Sequence, residues 1–257
     1  MNNITVVKIG GKLIENKSLL NDFILKFSKL NRPKILVHGG GNIATEISKE
    51  LNVKVDVIDG RRITNEKNLD IATMVYAGKI NKEIVSKLQE LNCNSIGLSG
   101  ADGNSIVSKK REVKKINYGF VGDITFINSK FIIDLIKNNL TPVFCAITHN
   151  SKGQLLNTNA DSIASAISIN LSKIHKVKLF YCFEKKGVLK NIKDDKSFLK
   201  KIDWKNYKIL KGNKNISNGM LPKLENCFYA LKNGVNHVRI GDNEMFCGKN
   251  NFTELTI

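Results

Sequence analysis

Five short stretches combine lysine, arginine, glycine and amide or carboxylate side chains in orders that suit an anion. In Val7-Lys8-Ile9-Gly10-Gly11-Lys12 an ammonium sits near the end of an apolar run. A lysine buried there is costly unless it meets an anion, and the glycines after it let a phosphate approach backbone N–H groups. His38-Gly39-Gly40-Gly41-Asn42 sets three glycines between an apolar run and an amphipathic segment. That order collects N–H donors at a helix N-terminus. It lacks the lysine and hydroxyl of the GxxxxGK[ST] loop, and also the GxGxxG spacing. Gly60-Arg61-Arg62-Ile63-Thr64 brings two guanidinium groups before an expected helix cap at Thr64, a pairing suited to bidentate contact with carboxylates. In Leu156-Asn157-Thr158-Asn159-Ala160-Asp161 the two asparagines alternate, so an extended backbone aims both the same way. Ser217-Asn218-Gly219-Met220-Leu221-Pro222-Lys223 puts an ammonium in the first turn of a helix, where it opposes the helix dipole unless a phosphate faces it.

Each stretch also fits a plain role: a strand-to-turn transition, a tight turn, a solvated basic turn, an Asp161 N-cap, a surface lysine. His38 fits a hydrogen-bonded strand-end residue better than an acid or base. Taken together they supply two lysines, glycine turns, one aspartate and two asparagines, without a convincing general base. A carboxylate acceptor needs none, because its reference pKa of ~4.3 leaves it ionised at neutral pH.

Hydrophobic periodicity predicts the elements that position these groups. Strands are expected at 4–9, 34–37, 53–58, 95–98, 141–147, 154–156, 177–183 and 235–240, the last taken as the final strong strand. Helices are expected at 18–30, 43–51, 66–91, 131–136, 160–171 and 220–233, with hairpins within 105–125. Alternation of this kind argues for a largely parallel sheet covered on both faces. The Lys- and Asp-rich stretch 191–197 reads as a surface excursion.

Composition excludes several classes. The 257 residues are 42% hydrophobic and 25% charged, which fits a globular α/β chain with a substantial core. No run approaches the ~20 apolar residues that span a bilayer, and no basic, apolar leader opens the sequence, so a cytoplasmic location without membrane contact is expected. The five cysteines are scattered with no CxxC pair and read as reduced core residues, with no metal site. The net charge of +18 comes from lysines placed singly or in twos. They read as a solvated surface, useful for gathering anionic substrates, and no nucleic-acid partner is expected.

In sequence, KIGGK, VHGGGN, GRRIT, GLSGADG, GFVGDI, LNTNAD and NGMLPK cover nearly the whole chain. This series resembles the acetylglutamate kinases of the amino-acid kinase family. The resemblance implies a three-layer αβα sandwich with an open, mainly parallel eight-stranded sheet. It implies an acyl-amino-acid lobe over about 1–172 and a nucleotide lobe over about 173–257. The implied activity is transfer of the ATP γ-phosphoryl group to the side-chain carboxylate of an N-acylglutamate, the second step of arginine biosynthesis. By position, Lys8 and Lys223 match the lysines that stabilise the moving phosphoryl group, and Asp161 the residue that orients them. Gly40, Gly41, Arg62 and Asn157 match the acylglutamate site. Gly10, Gly11 and Asn159 match the phosphate site, and Glu184 and Gly187 the nucleotide lobe. ATP would bring Mg²⁺ on its phosphate oxygens. Because the sequence opens at the first strand, the resemblance implies a homodimer without arginine feedback.

Three departures stand out. The nucleotide lobe reads Cys182-Phe183-Glu184-Lys185-Lys186-Gly187, where relatives carry a hydroxyl residue and an aspartate. Asn218 stands where glycine is common, and Arg61 where an apolar residue is usual. Arg61 fits either solvent exposure or a second substrate carboxylate, as on a succinyl group. Two rival readings remain open: a kinase of the same fold for carbamate, aspartate, glutamate, UMP or an aminoadipate derivative, and a basic nucleic-acid-binding protein on an inactive kinase fold.

Overall fold

The computed structural model describes residues 3–58, 61–191, 194, 197–212, 220–247 and 251–257. Gly60, Ser217, Asn218 and Gly219, together with residues 192, 193, 195 and 196 of the excursion, lie outside these.

The apolar runs become the inner strands of one eight-stranded sheet. Its strands in chain order are β1 (Asn3–Ile9), β2 (Lys34–His38), β3 (Ser95–Leu98), β4 (Thr141–Phe144), β5 (Lys176–Cys182), β6 (Lys201–Asp203), β7 (His237–Gly241) and β8 (Phe252–Thr256). They lie side by side as β6-β8-β7-β5-β1-β2-β4-β3. All neighbours are parallel except β7 and β8. Ile4, Val6, Val7 and Ile9 of β1 are all buried, which is why this strand reads as a continuous apolar run rather than an alternating one. Strands β1–β4 make one half of the sheet and β5–β8 the other. The chain leaves β1 towards β2, while β5 pairs on the opposite side. The crevice beyond the carboxyl ends of β1 and β5 is therefore a topological switch point, where open α/β sheets bind ligands. Helix Ala160–Ser172 packs against β1, β2 and β5, and against helix Met220–Lys232.

Several expectations change. The run 141–147 is two strands: β4 stays in the central sheet, while Ile147–His149 joins a four-stranded sheet with Leu155–Asn157, Ile106–Lys110 and Gly122–Ile127. Cys145 and Ala146 at the break are buried, so hydrophobicity gave no sign of it. Of 53–58 only Val57–Ile58 is a strand, paired antiparallel with Arg61–Arg62. The strand at 235–240 is not the last, since β8 follows it. Helices Gly11–Glu15 and Trp204–Gly212 were not expected. The helix at 66–91 is α-helical at Glu66–Thr73 and Asn81–Glu90, with a π-helical segment Met74–Ile80 between. Its cap is Asn65, whose side chain accepts from Asn68 N, and not Thr64. Among the described residues no helix is long and apolar enough to cross a membrane.

Lys34 opens β2 yet is only 2% exposed. Its Nζ donates to the carbonyls of Phe27 (2.8 Å), Ser28 (2.6 Å) and Leu30 (2.8 Å). It thus closes the carboxyl end of helix Lys17–Ser28, where carbonyls lack intrahelical partners and a cation is favoured. Burial pushes this ammonium below the ordinary lysine value. Lys34→Met keeps the length but leaves these carbonyls without their donor. One buried unsatisfied group costs ~1–3 kcal/mol, so a loss of about 3 kcal/mol in unfolding free energy is expected. Urea unfolding checks it; an unchanged midpoint would show that the carbonyls find other partners.

Candidate functional site

The crevice opens into a cleft of about 1150 Å³, lined by Lys8, Asp161 and Lys223 among others. Lys8 comes from the end of β1, Asp161 from the first turn of helix Ala160–Ser172, and Lys223 from the first turn of helix Met220–Lys232. Lys8 Nζ lies 2.7 Å from Asp161 Oδ1, and Lys223 Nζ donates to Oδ2 at 2.8 Å. Two ammonium groups far apart in sequence thus share one carboxylate, each side chain about four-fifths buried or more.

Local structure explains how Asp161 becomes available. It does not cap its helix. Asn159 does, its Oδ1 accepting from Asp161 N (2.8 Å) and Ser162 N (3.1 Å). The Asn159 oxygen is therefore occupied, and its NH₂ remains as a donor lining the cleft. Tyr181 on β5 is in register with Lys8, and its hydroxyl donates to the Asp161 carbonyl at 3.2 Å.

The charges divide unevenly. Burial opposes ionisation of Asp161, but the two flanking ammonium groups outweigh it and hold the carboxyl at about 2. Burial also pushes Lys8 below its ordinary value despite Asp161, and the like charge of Lys223 adds to the fall. Burial acts against Lys223 in the same sense, yet the charge and hydrogen bond of Asp161 prevail and hold it above the ordinary value.

Further along the cleft, Arg62 Nη2 donates to Gly41 O at 2.6 Å and to Thr45 Oγ1 at 2.5 Å. This ties the arginine to the start of helix Gly41–Glu50. Asn157 Nδ2 donates to Thr64 Oγ1 at 3.0 Å. Gly40 is required by space: a Cβ there would lie 2.4 Å from Ile80 Cδ1 and 2.8 Å from Tyr76 Cδ1. Both those side chains come from the π-helical segment, so this departure from the α-helix sits directly against the glycine turn. Gly11, Gly40, Gly41, Arg62, Asn157 and Asn159 all line the cleft.

Gly10, Glu184 and Gly187 are not among the described residues that line it. Gly10 N donates to Cys182 O at 2.9 Å, and a Cβ on Gly10 would touch Phe183. Glu184 pairs with Lys12 at 3.1 Å. A Cβ on Gly187 would fall 2.4 Å from Thr253 Oγ1, so this glycine allows close packing against β8. The structure thus joins the first glycine turn to the 183–187 segment.

His38 is fully buried. Its Nδ1 donates to Gly39 O at 2.8 Å, and Asn81 Nδ2 donates to its Nε2 at 3.0 Å. Burial lowers the imidazole to about 4, so it is neutral at neutral pH and outside the chemistry. Sequence reasoning missed Tyr76, Thr45 and Arg111, which also line the cleft. The only signal was Tyr76 and Ile80 at i,i+4 spacing on a long helix, which reads equally as core. Cys93, Cys145, Cys182 and Cys227 are buried free thiols and Cys247 is an exposed one.

Residues 3–242 match the amino acid kinase family model. Over 241 residues the chain is 46% identical to the acetylglutamate kinase of Cytophaga hutchinsonii, covering 93% of this chain and 91% of that one. It is 45% identical to the acetylglutamate kinase of Phocaeicola vulgatus, with 92% of each covered. Among solved structures, the Streptococcus mutans protein smu.665 superposes with a TM-score of 0.80 at 28% identity, covering 93% and 95% of the two chains. N-acetylglutamate synthase from Neisseria gonorrhoeae, complexed with coenzyme A and N-acetyl-glutamate, gives 0.83 at 17% identity over 99% of this chain and 59% of that one, a likeness of fold alone. With its open parallel sheet and the paired lysines at the switch point, the chain belongs to the amino-acid kinase family.

Proposed function

We propose that the protein transfers the γ-phosphoryl group of ATP to the side-chain carboxylate of N-acetyl-L-glutamate, forming an acyl phosphate and ADP, the second step of arginine biosynthesis. The observation that carries this is the convergence of Lys8 and Lys223 on Asp161 inside the cleft. The extent of identity with enzymes named acetylglutamate kinase supports the acceptor.

Phosphoryl transfer spreads charge over the equatorial oxygens of the moving group, with attack in line, so positioning and electrostatics supply the catalysis. Lys8 and Lys223 counter that charge from two sides, with Asp161 holding both ammonium groups in place. The Asn159 NH₂ and the N–H group at Gly11 add fixed donors for phosphate oxygens, the Gly10 N–H being taken by Cys182 O. The acceptor carboxylate attacks as the anion, with no proton to remove. Gly40, Gly41, Arg62 and Asn157 hold the acylglutamate, the guanidinium pairing with its α-carboxylate. Glu184 and Gly187 belong to the nucleotide side. Both Asp161 oxygens are engaged by lysines, and no cluster of three or more His, Cys, Asp or Glu suited to a metal lies among the described residues. Mg²⁺ would enter with ATP, held mainly by phosphate oxygens, where it would screen their charge. The same reading carries a homodimer in the cytoplasm, the dimer being checked by sedimentation.

A coupled ADP-release assay tests the activity. Lys8→Ala and Lys223→Ala are each expected to lower turnover about 10²–10³-fold, the scale of one lost donor at developing charge. Unchanged turnover in either would remove that lysine from the mechanism. A lysine held below its usual value sheds its proton earlier as pH rises. Turnover should therefore fall on the alkaline side before the ordinary lysine value of 10.5 is reached, through Lys8 rather than Lys223. Asp161→Asn removes the charge that raises Lys8, so the alkaline limb should move to lower pH as turnover drops. No inflection is expected near 6.5, the ordinary imidazole value, because His38 titrates at about 4. A pH–rate profile reads all three, and an alkaline limb that Asp161→Asn leaves in place would contradict the assignment.

A further inference from the structure

Not every cation that lines the cleft has a partner among the described residues. Among the described residues, six basic ones line it, against two carboxylates, Asp123 and Asp161. Asp161 lies between Lys8 and Lys223, and Asp123 takes the Nε and Nη2 fork of Arg111. Lys173 donates to Asn170. The γ-phosphoryl group answers to the lysine pair, and the α-carboxylate to Arg62. Arg61 is left exposed, with no ion-pair partner among the described residues. An acetyl group is neutral and offers it nothing.

Arg61 also opens onto a second basin, of about 770 Å³, which shares Arg61, Arg111 and Asp123 with the cleft. Its other walls bring Lys109, Lys114 and Lys115, with Glu112 as the only additional acid among the described residues. Lys109 is paired with Glu112 at 2.7 Å, so the remaining charge is Arg61 with Lys114 and Lys115. The strand pair Val57–Ile58 with Arg61–Arg62 fixes the geometry. Successive residues of a strand point to opposite sides: Arg62 is drawn in to Gly41 and Thr45, while Arg61 stays outside, at the junction of the two cavities.

We propose that this basin is a second anion subsite, continuous with the acceptor site, which takes a carboxylate at the far end of the substrate's acyl group. The preferred acceptor is then an N-acylglutamate with a dicarboxylic acyl chain, of which N-succinyl-L-glutamate is the simplest probe. It exceeds the acetyl compound by one methylene and one carboxylate. The inference rests on the N-acylglutamate kinase reading and sharpens its acceptor. Phosphoryl transfer is unaltered: the side-chain carboxylate oxygen forms the new bond to phosphorus, the bond to the ADP oxygen breaks, and the distal carboxylate serves only as a handle.

The test is ADP release with N-acetyl- and N-succinyl-L-glutamate, using the full-length wild type and Arg61→Gln. The wild type is expected to show at least about tenfold higher kcat/KM on the succinyl compound, and Arg61→Gln to cut the succinyl-to-acetyl ratio about tenfold, the scale of a hydrogen bond to a charged group. Arg61 is exposed, so the variant should melt with the wild type; Arg61→Lys, which keeps the charge, should recover part of the ratio. Preference for the acetyl compound overturns the subsite. So does a fall in both kcat/KM values by the same factor in Arg61→Gln, the mark of diffuse steering by the basic rim. ADP release with neither compound removes the kinase reading and the subsite with it, a pattern distinct from both.

Discussion

One buried carboxylate between two ammonium groups organises this molecule. Each of the three charges alone would be expensive to keep out of water. Lys223 lies at the start of a helix, where the dipole disfavours a cation, and Lys8 lies at the end of a strand buried in the central sheet. Asp161 offsets both, but a single negative charge cannot neutralise two positive ones. Burial divides the lysines: it pushes Lys8 below its ordinary value, with the like charge of Lys223 adding to the fall, while at Lys223 Asp161 prevails over burial and holds it above. The three groups together keep one positive charge in excess, which under the proposed function a transferring phosphoryl group would meet.

The rest of the fold serves this arrangement. Parallel pairing of β1 with β5 brings Lys8 beside Tyr181. Tyr181 then reaches across to the backbone of Asp161 and also hydrogen-bonds Ser165, one turn further along the same helix. The helix is fixed at its start by Asn159 and along its length by Ile163, Ala164 and Ile167, all fully buried. Helix Met220–Lys232 packs on it and delivers Lys223 from the opposite side. Ser165 of the first helix donates to Asn226 O of the second at 3.3 Å, a mark of how closely the two run. The carboxylate is therefore placed by sheet register and helix packing together, and a loop alone could not hold it so firmly.

Much of this could be read in the residues. Lys8 and Lys223 stand out because each is awkward where it stands, a lysine ending an apolar run and a cation at the wrong end of a helix; Asp161 read equally well as a helix cap, and only the structure shows that Asn159 takes that place. Inner strands were legible because burial on both faces demands unbroken apolar runs. What escaped has physical reasons. The break at Cys145–Ala146 lies within continuous burial, so no change of pattern marks it. Strands β6 and β8 are short and mix polar with apolar residues at one side of the sheet. The π-helical segment keeps helical spacing closely enough to pass as α-helix. Arg111 looked like one basic residue among many until the fold set it against Asp123 at the cleft.

The absence of a base is as informative as the presence of the lysines. His38 is the residue a search for acid–base chemistry would choose first, standing beside three glycines at a strand end. The structure spends both its ring nitrogens on Gly39 and Asn81 and removes its charge by burial. Gly97 leaves the room this needs, since a Cβ there would lie 1.8 Å from Asn81 Oδ1. Histidine and asparagine thus act as a buried clamp, with Asn81 also donating to Val143 O on β4. An alcohol acceptor would need a group to take its proton, and among the described residues around the lysine pair none is free to do so, as Asp161 is already committed. An acceptor that arrives ionised needs only a field to counter the charge of the transfer, and the site is built to supply that field.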